Sequence, residues 1–167
     1  MQITDGERLI GVMLADLMER LDVNTELDPT LVKRLLINKE DWALEWEYPF
    51  LHSGETPALV AETADILSMF SAIEAYTSRL SASEQDEIKA LHYSEFQGFD
   101  GNHDPHFGIA GTLINDLGRF SEFTKRSLNS HTQTTLPAYR QMLIKYNTIM
   151  KGKFGGLVAD EIKQICS

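Results

Sequence analysis

The chain is poor in cysteine, in cations and in long apolar runs, and each shortage excludes something. Cys166 is the one cysteine of 167 residues, so no intrachain disulfide can form and a reducing compartment is expected. It stands next to last with no histidine near it in sequence, which reads as a fraying end rather than a nucleophile. No run approaches the roughly 18 apolar residues of a membrane span. The polar opening Met1-Gln2-Ile3-Thr4-Asp5-Gly6-Glu7 lacks the apolar core of a signal peptide. A cytoplasmic protein without membrane contact is the expectation. Lys and Arg number 15 against 25 Asp and Glu, a net charge of −10 that argues against nucleic acid as a primary partner. Phosphate-cradling loops, a dinucleotide fingerprint and the Gly-x-Ser-x-Gly elbow are also missing, and no cofactor is expected. What is present, 43% apolar and 24% charged residues, suits a single domain over residues 1–167. A domain of this size buries roughly 70% of its unfolded surface without a metal or disulfide.

The scarcity of cations is uneven. Residues 1–60 carry −7, residues 61–100 carry −6 and residues 101–167 carry +3, the last stretch containing Arg119, Lys125, Arg126 and Arg140. An acidic first part is expected to meet a basic last part, within the fold or between subunits, and salt should weaken any assembly that depends on it. The same acidity suits a neutralising, immunity-type partner of a basic toxin.

Apolar spacing reads as helices throughout. Leu9, Ile10, Met13, Leu14, Leu17, Met18 and Leu21 recur at steps of three and four and share one face of a first helix, with Thr4 and Glu7 as a capping box at its start. Asp28-Pro29 opens a second helix striped by Leu31, Val32, Leu35 and Leu36. The aromatic segment 41–50 predicts a short helix stopped before Pro49, with Trp42, Trp46 and Phe50 four apart and packed in a core. Thr56-Pro57 opens the longest helix, whose face carries Val60, Ala64, Leu67, Phe70, Ile73 and Leu80. Ser81 and Glu84 form another capping box, leading into Ile88 and Leu91.

Gly98, Gly101 and Pro105 then break the pattern, predicting a loop over 97–105 and a helix capped by Asp104 that carries Ile109, Leu113, Ile114, Leu117 and Phe120. After a polar stretch, Thr135 and Pro137 open a helix with Tyr139, Met142, Leu143, Tyr146 and Ile149, closed by Gly152. Gly155-Gly156 turns into a last one with Val158, Ile162 and Ile165. No segment alternates with period two. The expected fold is all-α, six to eight helices of unequal length packed orthogonally around one core.

Chemistry concentrates in Gly98-Phe99-Asp100-Gly101-Asn102-His103-Asp104-Pro105-His106. Two carboxylates, an amide and two imidazoles this close are the raw material of a metal or acid-base site. Gly101-Asn102-His103-Asp104 matches a tetrad of metallophosphoesterases, but the other motifs of that site are missing. An EF-hand fails at its sixth position, Pro105, and its twelfth, Gly111. Local turn chemistry explains the same residues, with Asx side chains bonding nearby backbone and Asp104 as a cap. If the polar loop holding Asn129-Ser130-His131 came close, His103, His106, Arg119 and His131 would line one cleft with Asp100 orienting an imidazole.

A family resemblance covers nearly the whole chain. Glu7-Arg8-Leu9-Ile10, Asp65-Ile66-Leu67-Ser68-Met69-Phe70 with Ala72-Ile73-Glu74, and Phe96-Gln97-Gly98-Phe99-Asp100-Gly101-Asn102 resemble the YfbU family of small bacterial proteins. So do Gly118-Arg119-Phe120, Asn129-Ser130-His131, Tyr139-Arg140-Gln141-Met142-Leu143 and Glu161-Ile162-x-x-Ile165. The resemblance implies a bacterial, cytoplasmic, largely helical protein and brings no catalytic residues. Where the family pattern continues with a second asparagine, this chain has His103, so a metal site built on His103 is not among its implications.

Two function classes follow. The first is a non-enzymatic protein that associates with itself or another protein, its signature residues Phe96, Gly98, Phe99, Asp100, Gly101, Asn102, Arg119, Phe120, Asn129, Ser130, His131 and Tyr139 holding the fold and shaping a binding face. The second is a small metal-dependent or hydrolytic enzyme using Asp100, His103, Asp104, His106 and His131, which requires three of those side chains within reach of one point.

Overall fold

The computed structural model describes residues 3–23, 25–51, 56–131 and 133–167. Met1 and Gln2 of the polar opening and Thr132 of the second loop lie outside them. Eight α-helices and no strand occur among the described residues, in the all-α class that the spacing predicts. No helix among them is long and apolar enough to cross a membrane. Contacts divide the chain into two compact units, Met1–Pro57 and Ala58–Ser167.

In the first unit, α1 (Asp5–Arg20) starts at the predicted capping box: the Glu7 amide donates to Thr4 Oγ1 at 3.3 Å, and Thr4 N–H donates back to Glu7 Oε2 at 2.9 Å. Helix α2 (Pro29–Asn38) starts on Asp28, whose carboxylate accepts from the Leu31 amide at 3.1 Å. The two helices pack through small residues of α1. Ala15 is buried, and a Cβ on Gly11 would stand 2.7 Å from Leu36 Cδ1. Arg8 fastens the unit. Its guanidinium donates to both oxygens of Asp41, at 2.8 and 2.9 Å, and to the Leu36 carbonyl at 2.8 Å. Helix α3 (Asp41–Glu47) ends before Pro49, as predicted. Its buried residues are Ala43 and Leu44, followed by Tyr48. Trp42 and Trp46 pack edge to face at 5.9 Å but are half-buried, while Phe50 lies past the helix and is exposed. The predicted aromatic core stripe is thus corrected: the chain leaves the helical register at Tyr48, so Phe50 cannot extend the stripe.

The second unit is built around α4 (Ala58–Thr77), buried at Val60, Thr63, Ile66, Leu67, Met69, Phe70 and Ile73. Those positions cover more than one helical face because α6, α7 and α8 all contact it. Helix α5 (Ala82–Lys89) carries the predicted Ser81–Glu84 capping box. Helix α6 (His106–Gly111) is short and runs into a π turn over Thr112–Asp116, in which the Leu117 amide donates to the Thr112 carbonyl. Helix α7 (Leu136–Met150) and α8 (Ala159–Cys166) complete the unit. Cys166 is buried in α8, and burial pushes its thiol up to about 11. That corrects the fraying reading; the thiol is held by packing and is a poor nucleophile.

Part of the charge split of the sequence, that between residues 61–100 and 101–167, is met inside this unit. Glu62 pairs with Arg140, Glu74 with Arg126 and Glu87 with Lys163. Each pair joins the acidic stretch to the basic one.

Candidate functional site

Loops 96–105 and 127–135 meet in space. Phe99 N–H donates to the Leu128 carbonyl and Ser130 N–H to the Phe99 carbonyl, both at 2.9 Å, as an isolated parallel bridge between Phe99 and Asn129. Gly98 makes this approach possible. Its φ is +86°, and a Cβ there would stand 2.5 Å from the Leu128 carbonyl oxygen, a distance that backbone cannot yield to. The Asn129 carboxamide oxygen then accepts from two amides, Gly101 at 3.1 Å and His131 at 2.7 Å. Thr135 stands at the N-cap of α7, where the sequence places the helix start, but its hydroxyl makes no cap bond and donates to the Gly98 carbonyl at 2.9 Å.

Aromatic packing anchors the junction from below. Tyr139 is fully buried with Phe70, Phe96, Phe99 and Tyr93 around it at ring distances of 4.8 to 5.9 Å. Its hydroxyl accepts from the Gln97 amide at 3.0 Å, and burial pushes its ionisation upward. Glu74 ties in the entry of the loop, accepting from the Phe96 amide at 3.2 Å while holding Arg126 bidentately at 2.7 Å.

The Asp/His-rich segment is a self-contained turn. The buried Asp100 carboxylate accepts from Asn102 N–H at 2.9 Å and from His103 Nδ1 at 2.7 Å. These bonds hold Asp100 below its ordinary value, and the carboxylate raises His103 above its own. Asp104 Oδ2 accepts from the Asp100 amide at 3.1 Å. That corrects its assignment as a helix cap: the side chain bonds backwards, and α6 begins without a side-chain cap. His106 does not join its neighbours. It is buried, and its Nε2 lies 2.7 Å from Glu62 Oε2, while Nδ1 has no hydrogen-bond partner. Arg140 completes that group through Nε at 2.7 Å and its terminal nitrogen at 2.9 Å. Arg140 chiefly, with His106 adding to it, brings Glu62 down to about 2.

The signature residues therefore separate by burial. Phe96, Gly98, Phe99, Asp100 and Tyr139 are buried, Phe120, Asn129 and Ser130 are half-buried, and Gly101, Asn102, Arg119 and His131 are exposed. Sharing of one metal by Asp100, His103, Asp104, His106 and His131 does not occur. Among the described residues no group of three or more His, Cys, Asp or Glu could hold a metal ion. The physical reason is that His106 turns inward to Glu62, while His131, at φ +59°, follows the Asn129 turn outward. Chemically, the Asp100–His103 pair can take up and hold a proton on an exposed imidazole.

A second feature lies in the first unit. Leu9, Ile10, Met13, Leu14, Leu17 and Leu21 are each exposed, by 49% to 66%. Ile10, Met13, Leu14 and Leu17 line an open groove on α1 beside Asp16 and Arg20. An apolar stripe this wide ordinarily faces a core. Its periodicity was legible in the sequence; its exposure was not, since a stripe has the same spacing whichever partner covers it. At about half exposure each such side chain would contribute roughly 1 kcal/mol or more if covered.

No curated protein and no solved structure matches the chain. The model of the YfbU domain matches residues 1–167, the span over which the quoted motifs run. The chain belongs to the YfbU family.

Proposed function

We propose that this protein is a non-enzymatic, self-associating interaction protein, with the apolar face of α1 as its contact surface. The observation that supports this is the run of six large apolar side chains, each about half exposed or more, along one face of a capped helix. Patches beyond a few hundred Å2 on a monomer's surface mark interaction sites. The loop junction fits a holding role in this reading, because its hydrogen-bonding groups are spent on one another and its aromatic members are buried. Size-exclusion chromatography with light scattering, followed over about a hundredfold range of concentration, tests it. The expected result is a concentration-dependent assembly larger than 18.9 kDa; a strict monomer throughout would count against the proposal.

A further inference from the structure

We infer that the occupant of the α1 face is the α1 helix of a second copy, laid antiparallel across a twofold axis near Leu14 and Leu17. This rests on the self-association proposed above and adds which face, which partner and which direction.

Area is the first argument. Six side chains of this size and exposure offer on the order of 500 Å2 per copy, most of the roughly 800 Å2 that a stable interface takes from each partner.

Charge is the second. The acids beside the stripe are already matched by the chain's own cations: Asp16 by Arg20 at 2.9 Å and Lys33 at 3.0 Å, Glu19 by Lys33 at 2.6 Å. Charge beside the middle of the stripe is thus balanced within the chain, so that part of the face selects an apolar partner. A second copy supplies that chemistry, and a twofold interface buries the same stripe on both sides.

Direction follows from the ends of the helix. Asp5 and Glu7 stand in the first turn of α1 and Arg20 in the last. An antiparallel pair opposes the two helix dipoles and keeps the two acidic starts apart, whereas a parallel pair would set acid beside acid. With the twofold axis midway between Leu14 and Leu17, Ile10 lies near Leu21 of the second copy and Leu14 near its Leu17.

Single-cysteine variants in a Cys166→Ser background test orientation and register. Ile10→Cys mixed with Leu21→Cys is expected to give a disulfide-linked dimer on mild oxidation, while either variant alone gives little. Self-linking of each variant alone with no mixed product would mean a parallel pair and overturn the inference. Leu14→Glu is expected to weaken association about 100-fold or more while circular dichroism keeps the wild-type helical content, since Leu14 is half exposed. A dimer unmoved by Leu14→Glu overturns this face but leaves self-association standing. A wild-type monomer overturns both, and a monomer that floats with phosphatidylcholine vesicles assigns the face to lipid and overturns the inference.

Discussion

Helices α1 and α4 are both rich in large apolar residues, yet they use them in opposite ways. In α4 these residues are buried around much of the circumference, because four other helices of its unit pack on it. In α1 the small residues Gly11 and Ala15 serve the contact with α2, and the large ones point to solvent. The same contrast holds between the α1 face and the loop junction. The junction holds buried polar groups whose bonds are made within the chain; α1 holds exposed apolar groups whose contacts are not. Burial of polar groups demands internal partners, whereas exposure of apolar groups points to external ones.

Five substitutions would break or sharpen that contrast, each read by urea unfolding or titration. Gly98→Ala is expected to have the largest effect, a loss of about 3 kcal/mol or more, because the added Cβ meets the Leu128 carbonyl and φ is positive. An unfolding midpoint equal to wild type would show that the loops can part without cost. Asn129→Ala should cost about 2 kcal/mol by leaving the Gly101 and His131 amides without their shared acceptor. Glu62→Gln should cost about 1 to 2 kcal/mol at neutral pH. Glu62 sits below its ordinary value, at about 2, so its stabilisation is present above about pH 4.5 and is lost as pH falls toward 2. The difference between wild type and Glu62→Gln should close over that window.

The smallest effect belongs to the turn. His103 is raised by Asp100, so the pair contributes below the usual histidine value near 6.5 and its contribution fades as pH rises through the higher folded value. Asp100→Asn should return the His103 imidazole titration, followed by NMR, toward 6.5, with little change elsewhere. Leu14→Glu provides the opposing control. It is expected to change monomer stability by less than about 0.5 kcal/mol, so a large loss would show that α1 needs its apolar face for its own fold.

The legible parts of the sequence were those decided locally. Thr4 with Glu7, Ser81 with Glu84, and Asp28 with Pro29 marked helix starts because a cap is satisfied within four residues. The 97–105 break was legible from Gly98 and Gly101; the direction in which Asp104 bonds was not, since a carboxylate between a turn and a helix can bond either way. The π turn after Gly111 left no signal, because its apolar residues keep a helical spacing. His106 looked like a member of the Asp/His cluster; its partner Glu62 lies 44 residues earlier, beyond any local pattern. The charge split anticipated acid-base pairing between distant stretches, but not which residues pair.

By itself, then, the sequence determined the all-α class, most helix starts and the family, because spacing, caps and turn residues act over a few residues and survive in any context. Tertiary structure decided the rest. It joined Gly98 and Phe99 to Asn129, sent His106 to Glu62 and left the stripe of α1 uncovered. Which surface meets which depends on contacts between residues far apart in the chain, and periodicity records that a face is apolar without recording what covers it.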